Sequence, residues 1–282
     1  MRVKGIIKII LVLLFDFVLF YSIFESTGAV IGVGIILFSA WIGEYIALIK
    51  DNGISLKNSR DYERMKLMYC MEMLTENVKE KSAININKLK IHIIPTDQMN
   101  AYAYGFHNIG ITRGILNACD ELTINAVLSH EISHILCLDA VFNRIIFMNI
   151  TLLIVSLIVL SFITTSFIWI LFFVLCLVGI CGGVLSVFFF SGFSKLVKGY
   201  FNLIQRIILF FYQAIMGLVS RNCEYRADSY AVTLGYGLEL NYFLSRFVGE
   251  QGGRQRTLSD ILYDTHPATH KRIQRIEQKP IV

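Results

Sequence analysis

Charge and proline are the scarce ingredients of this 282-residue chain. Asp, Glu, Lys and Arg together make up 17% of it, and there are three prolines. Hydrophobic residues make up 55%. That balance excludes an ordinary soluble domain of this size and points to membrane spans plus a modest folded domain. The scarcity is also uneven, for no charged residue occurs from Ile145 to Ser194. The six cysteines, at 70, 119, 137, 176, 181 and 223, show no paired-motif spacing. They read as reduced thiols in a cytosolic or membrane setting, not as a disulfide framework. The net charge is +5, but Lys and Arg flank apolar runs and do not interleave with aromatics along one face. They act as topology signals, and no nucleic-acid partner is expected. The apolar run after Met1 has no small-residue cleavage site and is followed almost at once by a second run, so it is read as a retained span.

Gly5–Phe24 and Ala29–Leu48 are each about 20 residues, enough to cross a bilayer as helices, with Glu25–Gly28 as a linker. Arg2, Lys4 and Lys8 precede this hairpin; Lys50, Lys57, Arg60, Arg64 and Lys66 follow it; the linker has neither Lys nor Arg. Both ends are therefore expected on the cytoplasmic side. Ile145–Ile163 and Ile168–Phe190 form a second hairpin with the same sidedness, turning at Thr164–Ser166 and followed by Lys195 and Lys198. Asp16 lies in mid-span. An intramembrane carboxylate is a functional suspect, and a buried partner for a polar group on another helix is the preferred reading.

The stretch His130-Glu131-Ile132-Ser133-His134 lies in a segment whose apolar spacing is helical. Residues four apart share a helix face, so the two imidazoles stand side by side at a spacing that grips one zinc ion. Glu131 is turned about 100° from His130 and can face a water on the metal. Zinc lowers the pKa of such a water to about 7, and a neighbouring carboxylate can take its proton as hydroxide attacks a carbonyl. A catalytic site needs a third protein ligand. The metzincin arrangement fails, because Ala140 stands where its third His would be and Cys137 where its Gly would be. Downstream, Glu224-Tyr225-Arg226-Ala227-Asp228 offers Glu224 as the ligand. Asp228, one helical turn on, can hold a ligand His by its outer ring nitrogen, and Ala227 allows close helix approach. Glu224 must lie on the same side of the membrane as His130, so an even number of crossings separates them. Phe201–Val219 is therefore expected as a helix on the membrane surface or against the zinc helix, not as a fifth span.

The remaining pattern predicts a helix over Tyr62–Val78 and a short strand at Ile91–Ile94. A hairpin of Asn100–Gly105 with Ile109–Thr112 has an edge that an extended peptide could join. A short helix over Arg113–Ala118 follows, and Asp120 is the expected N-cap of the zinc helix. Helical patterns continue at Tyr230–Leu234 and Leu238–Val248, with a polar loop at Glu250–Ser259. His266, held extended before Pro267, can reach the site as a donor to a developing oxyanion. His92, His107 and His270 are read as strand-face, solvated and surface residues.

Together these motifs resemble the HtpX family, bacterial membrane metalloproteases related to the CAAX prenyl proteases. The resemblance takes in the first membrane hairpin, N-A-x-A-x-G at Asn100–Gly105, I-T-R-G-I-L at Ile111–Leu116, and H-E-I-S-H with Asp139 five residues later. It continues through the second hairpin, E-x-x-A-D, and T-H-P-x-x-x-x-R-I at Thr265–Ile273. The chain differs in carrying Cys137-Leu138 before Asp139, and Tyr102 and Tyr104 in the strand, which bears on substrate preference and not on chemistry. The resemblance implies His130, His134 and Glu224 as zinc ligands, Glu131 as general base, and Asp228 as support for a ligand. It places His266 and Arg272 near the site, and Asn100, Ala101, Tyr102, Ala103 and Tyr104 on the strand that pairs with substrate backbone.

The expected fold is an α+β membrane protein: a mainly helical gluzincin-like metalloprotease domain with a small β-sheet, plus four transmembrane helices in two hairpins. Its parts are residues 1–49 and 144–194 in the membrane, and 50–143 and 195–282 forming one cytosolic catalytic domain. One Zn2+ per chain, polypeptide substrates including membrane proteins, and the lipid bilayer are the expected partners. The expected location is the inner cell membrane, with the site and both termini cytoplasmic. The implied role is membrane-protein quality control. The alternatives are a CAAX-type prenyl-protein protease, whose enclosed chamber needs more spans, and a non-catalytic scaffold or transporter with a structural zinc.

Overall fold

The computed structural model describes residues 2–81, 86–248 and 267–278; His266 and the loop Glu250–Ser259 lie outside them. The chain forms two compact units, one made of Met1–Ile145 with Met216–Val282 and the other of Ile146–Ile215. The first unit is thus discontinuous in sequence.

Helix α1 runs over Arg2–Lys50 with one break, at Glu25 (φ 59°, ψ −166°). The break falls at the start of the polar linker expected between the first two apolar runs. Beyond it, Glu25–Lys50 is long and apolar enough to cross a membrane. So are α5 (Asp139–Leu177) and α6 (Val184–Thr233), which makes three candidate spans among the described residues. Large apolar side chains such as Phe38, Phe162, Phe173 and Phe188 are exposed along these helices. A patch of that extent is lipid-facing surface, not water-facing surface. Asp16 is buried and has a partner.

Phe201–Val219 is not a separate helix: it continues α6, which runs 50 residues without interruption. The reason is local. All three prolines, Pro95, Pro267 and Pro280, fall elsewhere, and Gln205, Arg206 and Gln213 are tolerated by a helix. At 1.5 Å per residue α6 is about 75 Å long, more than twice the bilayer's hydrocarbon thickness of about 30 Å. The helix that carries Glu224 is therefore itself one of the candidate spans.

The sheet has four strands: β1 (Ile54–Ser55), β2 (Lys90–Ile94), β3 (Ala101–Ala103) and β4 (Asn108–Thr112), in the order β1-β2-β4-β3. β2 and β4 are parallel; the other pairs are antiparallel. β4 is buried throughout, and β3 is an edge strand. Helix α2 (Asp61–Lys81) and the short α3 (Arg113–Ala118) flank the sheet.

Helix α4 (Glu121–Cys137) is buried along nearly its whole length, in contact with α1, α2, β3 and α7 (Gly237–Phe243). Asp120 caps it, accepting the Thr123 amide at 3.0 Å. Leu138 ends it in a left-handed conformation (φ 56°), and α5 begins at the next residue. Near this end Gly5 of α1 lies so close that a Cβ there would sit 2.3 Å from the Cys137 carbonyl oxygen. Leu67, Leu74, Ile93, Ile109, Ile111, Ile124, Leu128 and Ile132 fill the core between α2, the sheet and α4. The last described element is α8 (Thr269–Glu277).

Leu128 has no exposed surface, so Leu128→Ala leaves a cavity at the middle of the ligand helix and is expected to cost about 2–5 kcal/mol. The thermal unfolding midpoint of detergent-purified protein measures it, and an unchanged midpoint contradicts the described packing.

Candidate metal centre

Helical spacing brings His130 and His134 together as the sequence predicts, and α6 delivers Glu224 to them. The two Nε2 atoms are 3.2 Å apart. Glu224 Oε2 lies 3.4 Å from His130 Nε2, and Oε1 lies 3.7 Å from His134 Nε2. A tetrahedral zinc with bonds of about 2.0–2.1 Å needs ligand atoms about 3.3 Å apart. The spacing therefore fits that ion without rearrangement.

The outer ring nitrogens explain why these atoms face inward. His130 Nδ1 is 3.0 Å from Asp228 Oδ1, and His134 Nδ1 is 2.9 Å from Asp139 Oδ2. Each Nδ1–H donates to its carboxylate, which leaves a lone pair on each Nε2. Two lone pairs and a carboxylate oxygen then converge in a buried space, an arrangement that only a cation relieves. The same demand raises the pKa of His130: burial opposes its charged form, but Asp228 and Glu224 overcome this and bring it to about 10. Four carboxylates (Glu131, Asp139, Glu224, Asp228) share the centre with two guanidiniums (Arg226, Arg272). With both imidazoles neutral, as metal ligation requires, the excess of two negative charges matches a divalent metal.

Arg272 of α8 forks onto Asp228, with Nε to Oδ2 at 2.8 Å and Nη2 to Oδ1 at 2.6 Å, and its Nη1 is 3.1 Å from Glu224 Oε2. Burial disfavours its charge, and Asp228 outweighs that, so it remains a cation. One arginine thereby holds both the third ligand and the support of the first. Arg226 pairs with Asp139, whose other oxygen accepts the Cys223 thiol at 3.3 Å. Glu131 is buried on α4 next to His130.

β3 packs against α4. Ala101 belongs to the shared core, and Ala103 packs on it; two methyls on that face let the strand lie close to the ligand helix. Tyr102 and Tyr104 occupy the other face, their rings 6.0 Å apart, and the Tyr104 hydroxyl donates to Asp51 at 2.6 Å. Asn100 turns its side-chain oxygen to the Ala101 amide at 2.9 Å.

A His-Glu-x-x-His helix completed by a carboxylate from a distant helix defines a metal centre of the hydrolytic zinc class. The chain belongs to peptidase family M48, whose model matches residues 69–279 and so takes in all three ligands. It is 31% identical over 138 residues to a Protease HtpX homolog of Methanothermobacter thermautotrophicus, covering 46% of this chain and 52% of that one. It is 25% identical over 223 residues to a Protease HtpX homolog of Lactobacillus acidophilus, covering 67% of this chain and 66% of that one. The chain thus spans about half to two thirds of these curated relatives. Among solved structures, S. mikatae Ste24p shares its fold with a TM-score of 0.50 at 20% identity, covering 97% of this chain and 65% of that one.

Of the residues singled out in the sequence, His130, Glu131, His134, Glu224, Asp228 and Arg272 lie at one centre, and Asn100–Tyr104 runs along the edge of the sheet beside it. His92 bonds Asn108 at 2.9 Å and His270 is exposed, both away from the ligands; His107 is half-buried where a solvated turn was expected. Sequence reasoning left Asp139 and Arg226 without a role. On an unbroken helix Asp139 would point about 140° away from His134. The left-handed Leu138 resets the direction, and a lone Leu carries no signal of that.

Asp139→Asn and Asp228→Asn are each expected to weaken zinc binding by about 10–100-fold while leaving the three ligands in place. Competition against a chelator of known affinity measures this, and unchanged affinity in both would remove the carboxylates from the site's design.

Proposed function

We propose that the protein is an integral-membrane zinc endopeptidase that cuts misfolded or damaged proteins of its own membrane, with one zinc per chain. The observation that carries this is the convergence of His130, His134 and Glu224 within 4.8 Å, beside Glu131. Bound there, zinc would polarise a carbonyl and lower the pKa of a water to about 7. Glu131 takes the proton of the attacking water and returns it to the leaving nitrogen. Arg272 and Asp228 keep Glu224 and His130 oriented. His266, six residues before Arg272 in the chain, is assigned as a donor to the oxyanion.

Substrate backbone pairs with β3. Tyr104 N–H bonds the Asn108 carbonyl at 2.9 Å, and Thr112 N–H bonds the Asn100 carbonyl at 3.1 Å. Residues 100, 102 and 104 therefore use their backbone groups toward β4, and those of Ala101 and Ala103 point to the open edge. The Ala103 amide and the two alanine carbonyls supply the rungs for an extended peptide.

The residues before Glu25 form the fourth span, so that 1–49 and 144–194 are two hairpins in the inner cell membrane. The catalytic parts 50–143 and 195–282 meet on the cytoplasmic side, as do both termini. The cationic flanks support this orientation. The likeness to proteins named Protease HtpX homolog supports the proteolysis; the quality-control role is what the HtpX resemblance of the sequence motifs implies.

Glu131→Gln should keep one zinc and abolish cleavage of an unfolded model protein by the detergent-purified enzyme. If wild type and variant both hold zinc and neither cuts across several unfolded substrates, general proteolysis is withdrawn and a non-catalytic zinc scaffold is favoured.

A further inference from the structure

The strand assigned to substrate ends in a turn, Gly105-Phe106-His107, whose backbone is held by two charged side chains from the candidate membrane helices. Glu44 of α1 is 2% exposed. It accepts the amides of Phe106 at 3.1 Å, His107 at 3.2 Å and Asn108 at 3.0 Å, and the Asn108 side-chain amide at 2.6 Å. Arg144, near the start of α5, donates to the Tyr104 carbonyl and reaches the Ala40 carbonyl of α1 at 3.5 Å.

These contacts replace a rung of the hairpin. Tyr104 and Asn108 are a hydrogen-bonded pair in the β3–β4 register, and a regular pair exchanges two bonds. Here one bond is made, Tyr104 N–H to Asn108 O. The Asn108 amide goes to Glu44, and the Tyr104 carbonyl goes to Arg144. Two glycines leave room for this. A Cβ on Gly105 would lie 3.0 Å from the Glu44 carboxyl carbon and 3.1 Å from Arg144 Nη1, and a Cβ on Gly43 would lie 2.9 Å from Arg144 Cδ.

We propose that Glu44 and Arg144 are positioning residues for the substrate strand: they set the end of β3, and with it the register of peptide backbone on the open edge, from the helices that enter the membrane. This rests on the endopeptidase reading for its activity arm. The hairpin has only a three-residue β3, too short to fix its own position by ladder bonds alone, so an outside anchor decides where Ala103 lies relative to α4. Neither side chain contacts the metal ligands.

The test uses the full-length, zinc-loaded protein in detergent, with Glu44→Gln, Arg144→Met and Arg144→Lys. Glu63→Gln serves as a control: that carboxylate is equally buried and pairs with Arg113 at 2.8 Å, away from the turn. Glu44→Gln puts an amide donor against four donors, and is expected to raise KM for a long extended peptide about tenfold with a smaller change in kcat. Arg144→Met behaves alike, and Arg144→Lys, which keeps the charge and one donor, recovers part of the loss. Glu63→Gln lowers the unfolding midpoint without moving KM. Amide hydrogen exchange over residues 101–108, which needs no activity, is expected to quicken in Glu44→Gln and Arg144→Met and not in Glu63→Gln. Unchanged exchange overturns the positioning role outright. Quickened exchange with unchanged KM in a cleaving enzyme overturns the link to substrate. Quickened exchange in the two variants, where the wild type itself cuts nothing, supports the clamp on β3 and counts against the endopeptidase reading instead.

Discussion

Three electron-rich atoms pointed at one another in a buried space are the constraint on which the rest of this molecule depends. The Nε2 atoms of His130 and His134 and the carboxylate of Glu224 repel until a cation joins them. The protein holds them there from behind, with Asp228 and Asp139 on the outer ring nitrogens and Arg272 and Arg226 on the carboxylates. Every helix that supplies one of these groups is held in turn. α4 is buried on nearly all sides, α6 is one unbroken rod, and α8 is tied in by the Arg272 fork. The order of cause runs from charge to fold: removing Asp228 and Glu224 would leave the buried Arg272 without these partners, at a cost of about 3–5 kcal/mol.

The centre was largely legible in the sequence because its parts obey local rules. A helical period places His130 beside His134, and the same period places Asp228 one turn after Glu224. The break at Glu25, the cap at Asp120, the hairpin after Asn100 and the helix at Arg113–Ala118 were legible for the same reason, since each rests on a few neighbouring residues. What escaped were features set by distant partners. The strand order, with β2 parallel to β4, depends on which edges meet and not on pattern. β1 has two residues, too few to show a period. The support of His134 by Asp139 hangs on the left-handed Leu138. The reading of Phe201–Val219 as a separate helix followed from counting crossings; in the structure these residues instead continue α6 past a membrane-sized length.

The edge strand shows a division of labour between its two faces and its two ends. On one face, Ala101 and Ala103 are small so that the strand can approach α4. On the other, the half-buried Tyr102 lies beside the buried Tyr104, whose hydroxyl is braced by Asp51. One end is tied by Asn100 to its own backbone and the other by Glu44 and Arg144 to the membrane helices. A three-residue strand with so little ladder of its own takes its position from what surrounds it.

His130 and Glu224 are 94 positions apart in sequence, with the whole of the Ile146–Ile215 unit between them. During synthesis the ligand pair on α4 emerges long before its third member. In the membrane reading, Glu224 rejoins the pair only after the intervening hairpin has entered the bilayer and turned back. A chain stalled at that stage, or one whose hairpin is lost to the aqueous side, holds two histidines and no complete centre. On that reading the interrupted order of the catalytic segments acts as an assembly interlock: a complete centre forms only once the intervening hairpin is inserted.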